Sequence, residues 1–139
     1  MAILIDADVL LQAERGLFDL EAWLSSQPLE EFKLAAITVA DLWYGAESAS
    51  GTHGAARQRF AQQIGASFDV VPYTRETAIE HARLRAELAS GGQMIGSNDL
   101  ILAATAIQTG HAVATFQKRR FPAVKGLNFI EPIPQASRT

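Results

Sequence analysis

Apolar residues in this chain fall into short unbroken runs separated by stretches with helical spacing, and the two patterns alternate. Ala2 to Ile5 is an unbroken run that stops at Asp6, which predicts a short strand covered on both faces. A helix follows over Val9 to Glu14, ended by Gly16. Leu17, Leu20 and Leu24 then share one face at i, i+3 and i+7 beside Trp23, predicting a second helix over Leu17 to Leu24 before Pro28. Phe32 to Ile37 reads as a second strand. Thr38-Val-Ala-Asp41 has the form of a capping box, so a helix is expected from Thr38 to about Ser48.

Ser50-Gly-Thr-His-Gly54 is rich in turn formers and reads as a loop. Beyond it, Ala55 to Ile64 reads as a helix, Phe68 to Val71 as a strand, and Glu76 to Ser90 as a long helix ended by Gly91-Gly92. Met94 to Ser97 is a connector, and Ser97 or Asn98 is placed to cap a nearly all-apolar, buried helix over Asp99 to Thr109 that Gly110 stops. Ala112 to Ala114 is a strand; a basic loop, Lys118-Arg-Arg120, leads to Phe121-Pro122; Leu127 to Ile130 is a last strand. Strands alternating with helices imply an α/β fold of three layers, a central parallel β-sheet flanked by helices through right-handed crossovers. Residues 1–131 are expected to form a single domain and 132–139 a C-terminal tail.

Composition narrows the class. A chain of 139 residues is one domain in size and buries roughly 68–70% of its unfolded surface on folding. A formal charge of −3 gives no general attraction to nucleic acid, so an RNA contact has to come from a local basic patch or a metal-filled acidic site. Cysteine is absent, which removes disulfides, thiolate metal sites and cysteine nucleophiles and fits a reducing, cytoplasmic setting. The start, Met-Ala-Ile-Leu-Ile-Asp, does not read as a signal peptide, and no apolar run approaches the roughly 20 residues a membrane span needs.

In parallel sheets of this kind ligands bind beyond the carboxyl ends of the strands, which draws attention to three acids. Asp6 directly follows the first strand, while Asp41 and Asp99 lie in the first turns of predicted helices. Gathered carboxylates repel one another, and a divalent cation is the usual compensation; hard Mg²⁺ or Mn²⁺ suits an oxygen-only ligand set. Each acid also has a structural explanation: Asp6 and Asp8 as caps of the helix near Val9, Asp41 as the acid of its capping box, Asp99 as a favourable charge at a helix start. His53, His81 and His111 lack ligand spacing and read as structural.

Read together, Ile3-Leu-Ile-Asp-Ala-Asp-Val-Leu10, Ile37-Thr-Val-Ala-Asp-Leu-Trp-Tyr-Gly-Ala46 and Ile95-Gly-Ser-Asn-Asp-Leu-Ile-Leu-Ala-Ala-Thr-Ala106 resemble the PIN-domain ribonucleases, especially the VapC toxins of type II toxin-antitoxin systems. The stretches Thr115 to Phe121 and Val124 to Leu127 resemble the end of that family. The resemblance implies that Asp6, Asp41 and Asp99 are metal ligands in a catalytic site, with Mg²⁺ or Mn²⁺ as cofactor. Asp41 stands where the family usually has Glu, one methylene longer, which implies contact through water. Asp8 stands where Asn, Ser or Thr is common, and either adds negative charge or orients Asp6. Gln117 departs further, taking a place where the family often has Asp or Asn, and with Asp8, Thr115 and Asn98 it is a candidate for orienting the metal ligands or touching substrate.

The implied activity is metal-dependent endonucleolytic hydrolysis of RNA phosphodiester bonds, as the toxin of a pair that inhibits translation. A cognate antitoxin and a homodimer are the implied partners, without a membrane. Lys118, Arg119 and Arg120 are candidates for guiding RNA phosphates, and Leu42, Trp43 and Ala46, beside Tyr44, for an interface or core. Two alternatives stand beside this reading. One is a PIN-like interaction module whose site has weakened, suggested by Gln117 and Asp41. The other is a haloacid-dehalogenase-type phosphatase, suggested by the resemblance of Ile5-Asp-Ala-Asp-Val-Leu10 to that nucleophile motif.

Overall fold

A computed structural model describes residues 2–121 and 124–133. Five parallel strands, β1 (Ala2–Ile5), β2 (Glu31–Ala35), β3 (Asp69–Val71), β4 (Ala112–Ala114) and β5 (Phe129–Ile130), pair in the order β3-β2-β1-β4-β5. The α1 (Ala7–Glu14), α2 (Leu20–Ser25), α3 (Ala36–Ser48), α4 (Gly51–Ser67), α5 (Arg75–Ser90) and α6 (Ser97–Thr109) helices connect them.

Strand alternation sends successive side chains of the central strands to opposite faces. Leu4, Ala35 and Val113 join Leu84, Leu88, Leu100, Leu102 and Ala103 of α5 and α6 in one core. Ile3, Ile5, Leu34, Ala112 and Ala114 join Val9, Leu10, Trp23, Leu42 and Ile64 of α1 to α4 in the other. The sheet is thus covered on both sides, the three-layer α/β arrangement expected from the alternating pattern. No helix among the described residues is long and apolar enough to cross a membrane.

Several boundaries move for identifiable reasons. The α1 helix starts at Ala7 because Asp6 is its N-cap, accepting from the Ala7 N–H. The α2 helix starts at Leu20, capped by Asp19 onto Ala22 N; Leu17 is exposed, and Phe18 takes its place in the core with Trp23 and Phe116. The expected capping box at Thr38 does not form. The β2 strand ends at Ala35 and α3 follows at once with no side-chain cap. A capping box that pattern reading missed, Thr74 with Thr77, opens α5.

The turn-rich Ser50 to Gly54 segment is not a loop but the cap and first turn of α4. Neither Ser97 nor Asn98 caps α6; Gly96 holds the N-cap position without a side-chain bond. Gly110, at φ 74°, closes α6 in the left-handed conformation that glycine adopts without steric cost. Lys118–Arg120 is a single 3₁₀ turn rather than an open loop. Pro132 is buried; Pro122 and the rest of the expected tail, residues 134–139, lie outside the described residues.

Thr38 is 1% exposed and its hydroxyl has no hydrogen-bond partner among the described residues. Thr38→Val keeps the branched shape and removes an unpaired buried dipole, so it should raise the unfolding free energy by about 1 kcal/mol in urea denaturation. A comparable loss of stability would mean that the hydroxyl is bonded in solution.

Candidate active site

The sheet order reverses direction at β1 and β4: the chain leaves β1 toward β2 on one side, while β4 continues to β5 on the other. A crevice opens at such a switch point, beyond the carboxyl ends of the two strands. Asp6 is the first residue past β1, and its N–H donates to Ala114 O at the end of β4, 2.9 Å away. Its Oδ1 is taken by the Ala7 N–H at 2.7 Å, which leaves Oδ2 to face the crevice. The carboxylate is only 4% exposed.

Asp8, in the first turn of α1, is held from the β4 side: Oδ2 accepts from Phe116 N–H at 3.1 Å, and the Thr115 hydroxyl donates to the carboxylate at 3.3–3.4 Å. Thr115 Oγ1 in turn accepts from Gln117 N–H at 3.1 Å. Asp99 enters from the first turn of α6. Gly96 beneath it has no side chain to spare space for, since a Cβ there would lie 3.3 Å from Asp99 Oδ2. Asp41 enters from α3 and its Oδ1 accepts from Asn98 Nδ2 at 2.7 Å, tying α3 to the start of α6.

Arg120 completes the group. The 3₁₀ turn aims its guanidinium inward, where Nη2 pairs with Asp6 Oδ2 and lies 3.9 Å from Asp8 Oδ2, while Nη1 is 3.5 Å from Asp99 Oδ1. Its Nε is buried and has no hydrogen-bond partner among the described residues. One guanidinium therefore contacts three carboxylates, with Asp41 close enough to feel its charge, and the proton affinities of all four reflect the shortfall. Burial, then the neighbouring Asp8 charge, push Asp6 up from 3.8 to about 6 even though Arg120 pulls the other way. Asp8, Asp41 and Asp99 are raised as well, each chiefly by burial and each opposed by Arg120.

The expected acids thus meet at one edge, with Asp8, Thr115 and Asn98 around them. The basic run divides: Arg120 points in, whereas Lys118 and Arg119 are exposed and Lys118 lines a separate hollow with Phe121, Lys125 and Phe129. Gln117 is exposed and contributes its backbone N–H. Leu42 and Ala46 are core residues, not surface, while Trp43 is half-buried against that core and Tyr44 is exposed. His111 accepts from Ala2 N–H and His81 pairs with Tyr73, away from the acids, as structural histidines would. Sequence reading missed the inward turn of Arg120, and nothing in the charge pattern distinguishes it from Lys118 and Arg119.

Donor chemistry fits a hard divalent cation: four carboxylates, oxygen only, with more negative charge than one arginine offsets. As arranged around the guanidinium, no three of these acids form a ready metal-ligand group among the described residues.

The profile of the PIN domain matches residues 3–127. The chain is 33% identical to VapC ribonuclease Y4jK of Sinorhizobium fredii, covering 80% of this chain and 81% of the relative. Among solved structures it resembles FitAcB from Neisseria gonorrhoeae (TM-score 0.77, 30% identity, 94% and 97% of the two chains). It also resembles DNA-bound VapBC from Salmonella typhimurium (TM-score 0.84, 21% identity, 94% and 97% of the two chains), a likeness of fold.

An acid whose folded-state pKa is raised stabilises the fold fully below its ordinary pKa and loses that contribution as pH climbs through the raised value. Without metal, stability should therefore fall as pH rises from about 4 through about 6. Asp6→Asn should remove part of this slope, being more stable than wild type at pH 8 by on the order of 2 kcal/mol, with the gap closing below pH 4, in chelator-treated thermal melts. A wild-type stability that rises through that window would contradict the assignment.

Proposed function

Because this chain belongs to the PIN-domain family and has VapC ribonucleases among its relatives, we propose that it is the endoribonuclease toxin of a toxin-antitoxin pair, cutting RNA with Mg²⁺ or Mn²⁺ in the Asp6, Asp41, Asp99 crevice. The observation that carries this reading is the convergence of four aspartates from three separate chain segments on one switch-point edge. The phosphatase alternative gives way to the family assignment, and the likeness at Ile5 to Leu10 is local.

In this reading Asp6 Oδ2 and Asp99 supply direct ligands, since both face the crevice from rigid positions, a strand end and a helix start. Asp41 is fixed by Asn98 and, being short, acts through water. Asp8, clamped by Thr115 and Phe116 N–H, adds negative charge and keeps the first turn of α1 closed against β4. When bound, the cation supplies Lewis acidity, an activated water and charge stabilisation on the phosphate. The exposed Lys118 and Arg119 offer RNA phosphates a first contact outside the acidic mouth.

An antitoxin that covers this mouth is the proposed partner, supported by the VapBC complex among the structural neighbours, and a homodimer and a cytoplasmic setting accompany that role. A weakened interaction module has one observation in its favour, the guanidinium already seated among the acids.

Purified protein should cut mixed structured and single-stranded RNAs with Mg²⁺ or Mn²⁺ and stop on chelation. Asp6→Asn and Asp99→Asn should abolish cutting, and Asn98→Ala, which unties Asp41, should cost about 10–100-fold. RNA cutting that persists in both aspartate variants would refute the site; inert protein that also fails to bind metal would leave the interaction module.

A further inference from the structure

Arg120 lies between Asp6 and Asp99 and reaches a carboxylate oxygen of each. Asp6 has one carboxylate oxygen committed to Ala7 N–H, and its other oxygen is the one paired with Nη2. Asp99 Oδ1 faces Nη1 at 3.5 Å. The guanidinium is held by charge more than by a full set of hydrogen bonds, because among the described residues Nε is buried with no partner and Asp8 is 3.9 Å away. The carboxylates are spread around a planar fork, and no three among the described residues are gathered as metal ligands.

From this geometry we infer that Arg120 is a built-in counter-cation at the metal position, and that a divalent ion enters by displacing it from Asp6 and Asp99. The inference rests on reading the crevice as a metal site. A guanidinium and a divalent ion within contact of the same two carboxylates repel strongly in a half-buried crevice, so the two cations compete rather than coexist. The exit is short, since the Arg120 side chain is 32% exposed and is carried by one 3₁₀ turn at the mouth. In the metal-free protein the arginine lowers the repulsion among four acids; the same contact sets the metal concentration at which the site fills. Arg120 is accordingly a positioning residue for the acids and a gate on metal entry, not part of the phosphate-guiding surface formed by Lys118 and Arg119.

Calorimetric titration of chelator-stripped protein with Mn²⁺ separates the possibilities without any activity assay. Arg120→Gln should bind Mn²⁺ about tenfold or more tightly than wild type, while Arg119→Gln, one residue away but exposed, should match wild type. Equal or weaker binding by Arg120→Gln, with wild type still binding, overturns the competition and leaves the metal-nuclease reading standing. Absence of Mn²⁺ binding in all three proteins overturns both. Should Arg120→Gln fail to fold, wild type answers by itself in ¹⁵N spectra of the arginine side chains: saturating Mg²⁺ should release the restrained Arg120 guanidinium signal, and an unchanged signal at saturation refutes displacement.

Discussion

Like charge held together at the end of a buried strand is the constraint around which this molecule is arranged. Asp6 is almost fully buried, Asp8 is two residues away, and Asp41 and Asp99 arrive from other helices. Left alone, such a group would take up protons or push the helix ends apart. The fold meets this in three ways: the backbone N–H groups of Ala7 and Phe116 donate to Asp6 and Asp8, Thr115 and Asn98 fix two of the carboxylates, and Arg120 supplies a single positive charge. Even so, all four acids remain harder to ionise than free aspartate. In the proposed reading, that residual cost is what a bound divalent cation would relieve.

The scaffold positions the acids by ordinary means. Parallel pairing of β1 with β4 brings the residues after Ile5 and Ala114 side by side, so Asp6 and Thr115 are neighbours although far apart in sequence. Apolar packing on both faces fixes α1, α3 and α6 against the sheet; α1 and α6 contribute Asp8 and Asp99 from their first turns, and α3 contributes Asp41 from its second. The proposed site and the fold share residues: Asp6 caps α1, and Asn98 joins α6 to α3.

Much of this was legible in the residues themselves. Unbroken apolar runs marked β1 and β4, helical spacing marked α5 and α6, and Asp6 and Asp99 stood out because each follows an apolar run or opens one. What escaped depends on context. Thr38 to Asp41 has the letters of a capping box, but β2 passes directly into α3, so no Ncap position exists there for Thr38 to fill. Ser50 to Gly54 has turn-forming composition, yet it forms the cap and first turn of α4, whose core contacts come later, at Phe60, Ala61 and Ile64. Leu42 and Ala46 had an apolar stripe that suits a surface or a core equally, and only the neighbouring layer decides. Arg120 looked like one of three loop cations because its direction depends on a 3₁₀ turn that charge patterning does not encode.

Anomalous scattering from crystals soaked in Mn²⁺ tests the central claim most directly. The account predicts a peak in the crevice at direct-ligand distance from the Asp6 and Asp99 carboxylates, with the Arg120 guanidinium turned out of its present place. A peak elsewhere, or a crevice free of metal with Arg120 still paired to Asp6 at saturating Mn²⁺, would contradict it.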